Sequence, residues 1–203
     1  MGEAAESKHT YSYSEYLEWE KQQVLRYEYY QGEVFARAGS TDTHNEIILN
    51  TSLALRGKAR EKGCKVYAEN VRLEIQAGAY YTYPDVMLTC DEKDHQERLL
   101  KRHPQVIVEV LSESTEKYDR GFKWLHYKRI PSLRYYLLIS QYVHRVEVFS
   151  RDSEEAALWH FRVFESLADV IDLRQLGGQI SLKEIYEGVS LETSEDRPPL
   201  SRS

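Results

Sequence analysis

Two carboxylates stand in apolar, strand-like runs of the sequence. Glu109 lies in the middle of QVIVEVLS, and Asp85 opens the apolar run in YPDVML. Because an unpaired buried charge costs roughly several kcal/mol, each acid needs a cation or an ion-pair partner. Side chains alternate along a strand, so Glu109 faces the same layer as Ile107 and Leu111. If the two strands are neighbours in a sheet, Asp85 and Glu109 converge on one site.

Converging carboxylates of this kind are typical ligands of a hard cation. Mg²⁺ takes oxygen ligands in an octahedron that waters and phosphate oxygens complete, and its charge offsets the carboxylates. Asp85 and Glu109 are therefore the candidate metal ligands, for Mg²⁺ or Mn²⁺. Two alternatives stay open, because Asp85 follows Pro84 as turn residues do, and Glu109 is equally suited to a buried ion pair with Arg or Lys.

A basic segment follows Glu109 in the chain. Residues 117–134 contain six basic side chains against one acid, Asp119, whereas the whole chain has a formal net charge of −6. The global field therefore does not attract nucleic acid, and phosphate binding has to come from this local cluster. A solvated helix face is the alternative for the same cluster. The candidate DNA contacts are Lys117, Arg120, Lys128 and Arg129.

The elements that position these residues are predicted from periodicity and from capping signals. SYSEYLEWEKQ predicts a short helix capped by Ser14. QVLRYEYYQGEVFARAG predicts a hairpin that turns at Gln31-Gly32. A Thr43-x-x-Glu46 capping box precedes an apolar helical pattern that ends at a glycine, and this pattern predicts a long helix.

Strands are predicted for CKVYAEN, VRLEIQ, PDVMLTC and QVIVEVLS, and then for RYYLLIS, HRVEVFSR and AALWHFRVF. A helix is predicted from about Tyr118 to Arg129, ended by Pro131, and a Ser181-x-x-Glu184 box opens a short C-terminal helix. This order predicts a single α/β domain over residues 11–190. It is a mixed α+β fold in which helices flank a mixed β-sheet core with an N-terminal hairpin. Residues 1–10 and 191–203 are predicted to be flexible termini.

Five segments, taken in order, resemble a known family. They are YEYYQGEVFARAG, THNEIILNTSLALRGK, YYTYPDVMLTC, VIVEVLSESTEKYDRGFKWLHYKRI and the paired SLRYYLLIS and HRVEVFSR. Over about residues 11–187 the chain resembles the Uma-two family, bacterial endonucleases of restriction type within the PD-(D/E)XK nuclease superfamily. The most specific parts are the Pro84-Asp85 pair, the run around Glu109 and the segment from Asp119 to Lys123.

The resemblance implies a restriction-endonuclease-like fold and hydrolysis of DNA phosphodiester bonds with Mg²⁺ or Mn²⁺. Asp85 and Glu109 are then the catalytic acids and metal ligands. The superfamily's lysine stands two residues after the second acid, where this chain has Leu111. In the family that the chain resembles, the lysine comes from the following helix, which makes Lys123 the catalytic candidate. The alternative for Lys123 is an exposed i,i+4 ion pair with Asp119.

A further acid is expected from the first core helix. Glu46 is the predicted catalytic contributor there, although the Thr43 capping box explains it equally well. Glu28, ahead of the hairpin turn, is the alternative acid. His44 can approach the same cleft, but one histidine beside a helix start is more often a cap or a surface residue. All three candidates rank below the two metal ligands and the lysine.

Composition excludes several other classes of protein. Hydrophobic residues make up 41% of the chain and charged residues 30%, as in globular domains. No run approaches the ~18 apolar residues of a membrane span, and the acidic N-terminus is unlike a secretory signal, so a cytoplasmic protein is expected. Cys64 and Cys90 lie far apart without clustered histidines, which argues against zinc and predicts two buried free thiols.

Three functions compete at this stage. The first is a metal-dependent DNA endonuclease, for which a homodimer is expected because two sites cleave a duplex most simply. The second is a catalytically inactive nuclease fold that binds nucleic acid or regulates, favoured by Leu111 and the negative net charge. The third is a protein-interaction domain that uses the tyrosine-rich hairpin at Tyr27, Tyr29 and Tyr30.

Overall fold

The computed structural model describes residues 10–37, 41–153 and 158–191 of the chain. In chain order its strands are β1 Tyr27–Tyr30, β2 Glu33–Ala36, β3 Lys65–Ala68, β4 Arg72–Gln76, β5 Tyr80–Thr82, β6 Val86–Thr89, β7 Leu100–Lys101, β8 Pro104–Leu111, β9 Tyr135–Ser140, β10 Val146–Ser150, β11 His160–Phe164, β12 Val170–Leu173 and β13 Gly178–Ser181. The predicted flexible termini lie outside the described residues, apart from Thr10 and Leu191.

The helices are α1 Tyr13–Glu20, α2 Asp42–Glu61, α3 Glu92–Gln96, α4 Glu116–Tyr118, α5 Trp124–Tyr127 and α6 Leu182–Ile185. A π-helical turn, Asp119–Lys123, joins α4 to α5, and a 3₁₀ turn spans Arg174–Leu176. The predicted helix from Tyr118 to Arg129 therefore corresponds to α4, the π turn and α5 together. In the described ranges no helix combines the length and the hydropathy that crossing a membrane requires.

The main sheet holds six of the described strands in the order β11-β10-β9-β8-β6-β3. β8 and β9 are parallel, and the helical segment between them forms the crossover, whereas the other pairs are antiparallel. This mixed sheet confirms the predicted fold class. β6 pairs with β8 so that Val86 faces Val108, and this register places the preceding residue, Asp85, beside Glu109.

A second sheet has the strand order β2-β1-β5-β4-β7 and contains the predicted hairpin. Gln31 and Gly32 form its turn, with φ of 47° and 93°. A Cβ at position 32 would collide with the Thr10 side chain, so the turn requires glycine there. The hairpin tyrosines are not an exposed patch, because Tyr29 is buried and Tyr27 packs with α1. The predicted protein-interaction surface on this hairpin is therefore wrong.

The main sheet separates two apolar layers. Val106, Val108 and Val110 of β8 pack under α2, α6 and the β12–β13 hairpin. Ile107 and Leu111 point to the opposite layer, which the helical segment after β8 covers. The predicted alternation along β8 is thus confirmed. Each buried aliphatic side chain stabilises the fold by about 1.5–3 kcal/mol.

Two helices begin at residues other than the predicted caps. Ser12, not Ser14, caps α1. The Ser12 hydroxyl accepts from the Glu15 backbone N–H, and the Glu15 carboxylate accepts from the Ser12 backbone N–H. Thr41 caps α2, since its hydroxyl accepts from the His44 backbone N–H at 3.2 Å. Thr43 is the second residue of the helix and donates instead to the Ser190 carbonyl. The α2 helix thus starts two residues earlier than the capping box predicts.

Cys64 and Cys90 form a disulfide, so the prediction of two free thiols is wrong. Cys64 directly precedes β3 and Cys90 directly follows β6. These strands are antiparallel with Lys65 opposite Thr89, so the next pair along the ladder is the two cysteines. Their separation of 26 residues in the sequence hides this proximity, because it depends on the strand pairing.

Candidate active site

A cleft of about 690 Å³ contains the two predicted metal ligands, Asp85 and Glu109, and the predicted lysine, Lys123. Its lining comes from the N-terminal hairpin, the start of α2, the residue before β6, the end of β8 and the helical segment that follows. Its buried ionisable side chains are Glu28, His44, Asp85, Glu109, Asp119 and Lys123.

Lys123 lies at the centre of the buried acids. Its Nζ is 2.8 Å from Asp119 Oδ1, 3.1 Å from Glu109 Oε1 and 3.5 Å from Glu28 Oε1. Burial alone lowers the pKa of Lys123, but Glu109, Glu28 and Asp119 outweigh burial and raise this pKa well above its ordinary value. The i,i+4 pair with Asp119 exists, but it is buried in the cleft rather than exposed on a helix face.

The π turn brings Lys123 into this position. Asp119 and Lys123, at its two ends, are both buried. Arg120, one residue further along, lies on another side of the helix and pairs with Glu116 and Glu147. π turns occur mostly as single-turn bulges inside α-helices and are frequent at functional sites.

Glu109 is held at one oxygen and left open at the other. Its Oε1 accepts a hydrogen bond from the Tyr127 hydroxyl at 2.7 Å as well as the contact from Lys123. The described residues provide no donor to Oε2. Burial is the main cause that raises the pKa of Glu109 to about 8, and the negative charges of Asp85 and Asp119 add to it. Lys123 and Tyr127 offset only part of this shift.

Asp85 is ionised and fixed from both sides. Arg37 Nη2 donates to Oδ1 at 2.7 Å, and the Val110 backbone N–H donates to Oδ2 at 2.8 Å. His44 Nε2 lies 3.4 Å from the same Oδ2 and 3.1 Å from the Val110 carbonyl. Burial raises the pKa of Asp85, but His44 and Arg37 outweigh it, so the pKa lies below its ordinary value.

Glu28, not Glu46, is the additional acid in the cleft. Glu28 Oε1 accepts from the Thr82 hydroxyl at 2.6 Å, and Oε2 accepts from the Tyr118 hydroxyl at 3.3 Å. Glu46 is exposed on α2 and lies outside the cleft lining, so its predicted place in the site is wrong. The helix instead turns His44 towards Asp85.

The predicted phosphate contacts lie outside the cleft lining. They are Lys117, Arg120, Lys128 and Arg129. Arg120 forms ion pairs with two acids, one of them the buried Glu147, so its charge is already balanced within the protein. Arg26 and Arg37 do line the cleft, and sequence reasoning missed both. The sequence signal that could have found them is their position, because Arg26 directly precedes the first strand of the hairpin and Arg37 directly follows the second.

The donor set of the cleft fits a divalent cation. Among the described lining residues four buried carboxylates, Glu28, Asp85, Glu109 and Asp119, face the charges of Lys123 and Arg37. Burial is the main cause that raises the pKa of Glu109 and the neighbouring acids add to it, and a cation would offset both effects. Carboxylate oxygens without thiolates are the ligands that Mg²⁺ and Mn²⁺ prefer.

A second group with metal-ligand spacing lies at the start of α3. Ligand atoms of Asp91, Asp94 and His103 come within 4.8 Å of one another. Asp91 Oδ1 accepts from the Lys93 backbone N–H at 2.8 Å and caps the helix. The Asp94 carboxylate accepts from the backbone N–H groups of Arg102 and His103. A local hydrogen-bond network therefore explains these acids.

The fold and the site together define a nuclease-like α+β protein. The family model Uma2, described as "Putative restriction endonuclease", matches residues 13–183, and the chain belongs to this family. The resemblance stated from the sequence is thereby confirmed. The match covers the hairpin, the main sheet and every residue of the cleft described above.

Two relatives from Synechocystis sp. are both described as uncharacterized proteins. One, slr1290, is 30% identical over 176 residues, which cover 87% of this chain and 91% of the relative. The other, sll1609, is 34% identical over 140 residues, which cover 68% of this chain and 79% of the relative.

A solved structure shares the fold. The crystal structure of a protein from Anabaena variabilis, titled a putative nuclease belonging to DUF820, matches with a TM-score of 0.72. The match covers 89% of this chain and 99% of that protein at 15% sequence identity, so it establishes the fold alone.

Proposed function

We propose that this protein is a Mg²⁺- or Mn²⁺-dependent endonuclease that hydrolyses DNA phosphodiester bonds. The contact that carries the proposal is the 3.1 Å approach of Lys123 Nζ to Glu109 Oε1, in a cleft where Asp85 lies beside Glu109. Two acids and a lysine are the groups that the superfamily uses. Here the lysine comes from the π turn, while the strand position two residues after Glu109 holds the buried Leu111.

Each side chain has a part that its contacts define. Asp85 and Glu109 would hold the cation, which would supply Lewis-acid stabilisation of phosphate charge and lower the pKa of water. Tyr127 fixes Glu109 Oε1, which leaves Oε2 as the ligand. The Lys123 ammonium stays charged throughout the physiological pH range, so it can donate to charge that develops on the phosphate.

Arg37, His44 and the Val110 backbone position Asp85. His44 Nε2 carries the proton, because its neighbours are a carbonyl oxygen and a carboxylate oxygen, which both accept. Arg37 contacts Asp85 Oδ1 from the cleft side of the hairpin. Its guanidinium, although paired with Asp85, lies in the lining where a phosphate would enter.

One observation favours the second function, an inactive nuclease fold that binds nucleic acid. Both oxygens of Asp85 already accept hydrogen bonds, from Arg37 and from the Val110 N–H. These hydrogen bonds occupy lone pairs of Asp85 that a cation would otherwise use. Calorimetric titration with Mn²⁺ separates the two functions, because an active site should bind Mn²⁺ with an affinity that Glu109→Ala abolishes.

The direct test is nicking of supercoiled plasmid in Mg²⁺ or Mn²⁺. We expect Asp85→Asn, Glu109→Gln and Lys123→Met each to lower the nicking rate by at least about 100-fold, as loss of one electrostatic catalytic group does. Lys117→Met is the matched control, an exposed lysine in the same helical segment but outside the cleft. Purified protein that nicks in neither metal, or a Lys123→Met variant as active as Lys117→Met, would refute the proposal.

A further inference from the structure

Three exposed apolar side chains stand at the mouth of the cleft. Val24 is 99% exposed, Leu25 55% and Phe35 42%, and all three line the cleft that contains Glu109 and Lys123. We call Val24, Leu25 and Phe35 the apolar lip. Apolar side chains grouped at a polar cleft are typical of a binding surface rather than of the single exposed residues common on any protein.

Strand register directs Phe35 towards the site. Phe35 on β2 is directly opposite Glu28 on β1, and opposite residues of an antiparallel pair share one face of the sheet. Glu28 lies 3.5 Å from Lys123 Nζ, so Phe35 stands on the face of the hairpin that carries the buried acid. β2 forms one edge of its sheet in the described part of the chain, which leaves this ring accessible.

The charges at the cleft do not match an intact duplex. Double-stranded DNA carries one negative charge per about 1.7 Å of its axis, and tight binding requires a row of cations along it. The cleft lining offers Arg26, Arg37 and Lys123 against five acids, and both Arg37 and Lys123 are ion-paired with the buried acids. The other basic residues of the helical segment after β8, Lys117, Arg120, Lys128 and Arg129, do not line the cleft.

The lip and these charges match a single strand better. Proteins that bind unpaired strands combine a few cations with side chains on which bases stack, and such contacts tolerate any sequence. A cleft of about 690 Å³ has the size of pockets that enclose one small organic ligand, roughly one or two nucleotides. Arg26 is exposed between Leu25 and β1, where it can meet a phosphate next to a base that rests on the lip.

We infer that the apolar lip holds an unpaired base beside the reacting phosphate, so that the cleft selects single-stranded or locally opened DNA over intact duplex. This inference rests on the proposed nuclease function and names its substrate class. A site that takes one strand at a time works without a second subunit, so the homodimer expected for duplex cleavage is not required.

The test measures binding separately from cleavage. A labelled single-stranded 20-mer, the same strand in a blunt duplex, and that duplex with a three-nucleotide bulge are titrated by fluorescence anisotropy in Ca²⁺, with strand integrity checked on a gel. We expect the single strand and the bulged duplex to bind at least about 10-fold more tightly than the blunt duplex. Phe35→Ala should weaken single-strand binding by about 5- to 150-fold, the effect of losing one base-stacking contact.

Phe161→Ala is the matched control, because Phe161 is a 53% exposed phenylalanine on β11, away from the cleft. Blunt duplex bound as tightly as single strand, or equal losses in Phe35→Ala and Phe161→Ala, would overturn the inference. So would concentration-dependent dimerisation that Phe35→Ala abolishes, because the lip would then be a contact between copies.

Nicking assays with the same probes keep the two proposals apart. Binding that depends on Phe35 without any cleavage would refute the nuclease proposal and support base binding by the apolar lip. Cleavage of blunt duplex that is unaffected by Phe35→Ala would support the nuclease proposal and refute base binding by the apolar lip.

Discussion

The raised pKa of Glu109 makes a measurable prediction about stability. In the unfolded chain the carboxyl has its ordinary pKa of 4.5, and burial beside Asp85 and Asp119 raises it to about 8 in the folded protein. Between these two values the folded state binds the proton more tightly than the unfolded state does. The free energy of unfolding therefore falls as pH rises from about 4.5 to about 8. Above about pH 8 the stabilisation that comes from protonated Glu109 is lost.

The size of the effect follows from the two pKa values. At 1.36 kcal/mol for each pKa unit, the upper limit is about 5 kcal/mol, and relaxation around the ionised group reduces it to an expected 2–5 kcal/mol, roughly. Glu109→Gln removes the titrating group while keeping the shape of the side chain. The variant should match the wild type near pH 5 and exceed it in stability by that amount near pH 9.

Urea denaturation at constant ionic strength, from about pH 5 to about pH 9, gives the free energy of unfolding against pH for the wild type and for Glu109→Gln. Their difference reports the ionisation of Glu109 together with its effect on neighbouring groups such as Asp119, whose pKa is also raised, mainly by burial. The pKa of His44 is also raised, because its hydrogen bond to Asp85 outweighs burial, so His44 too loses stabilising effect as pH rises, but equally in both proteins. The lowered pKa of Asp85 acts below this range.

Glu46→Gln, at an exposed glutamate outside the cleft, is the control and should differ from the wild type by less than about 0.5 kcal/mol at every pH. Mg²⁺ at one hundred times its dissociation constant should restore about 2.7 kcal/mol to the wild type near pH 9, and nothing to Glu109→Gln. Parallel wild-type and Glu109→Gln curves would refute the electrostatic argument.

Three further predictions follow from contacts outside the acids. Leu111→Lys, added to Lys123→Met, should not restore nicking, and recovered nicking would contradict this. The substitution should lower the free energy of unfolding in urea by at least about 3 kcal/mol, because position 111 packs in the apolar layer with Tyr127 and Leu138. Arg120→Ala should leave the affinity for DNA within about twofold in anisotropy titrations while lowering the free energy of unfolding by about 1–3 kcal/mol, since among the described residues buried Glu147 then keeps Arg145 as its one ion-pair partner. A large loss of DNA affinity would restore the predicted phosphate contact. Cys64→Ala with Cys90→Ala should cost about 3 kcal/mol, the entropy of the closed loop, and leave nicking unchanged; equal denaturation midpoints in the presence and absence of reductant would contradict it.

The strands of the main sheet and the two acids were predictable because they depend on local patterns, whereas the strands β5, β7, β12 and β13 were not predicted. Alternation along β8 was enough to separate the face of Val108 from the face of Glu109, and two apolar runs that each carried one acid indicated that Asp85 and Glu109 meet. The hairpin turn at Gln31-Gly32 was equally local, since both residues have positive φ and the second must be glycine.

What the sequence could not predict depends on contacts between distant segments. Glu28 enters the cleft because β1 pairs with β5, whereas the start of α2 offered Glu46 as an equally plausible acid. Arg120 counted as a free cation in the charge pattern, but its partner Glu147 lies 27 residues later. The disulfide was invisible for the same reason, because only the β3–β6 register makes the two cysteines neighbours.

The position of Leu111 has a consequence for how such proteins are recognised. In the proposed active site the ammonium comes from the π turn, so the strand does not need a polar group at position 111, and the buried leucine there stabilises the apolar layer by about 1.5–3 kcal/mol. Motif searches that require acid and lysine on one strand would miss proteins with this arrangement, and searches that ask which side chains share a cleft would find them.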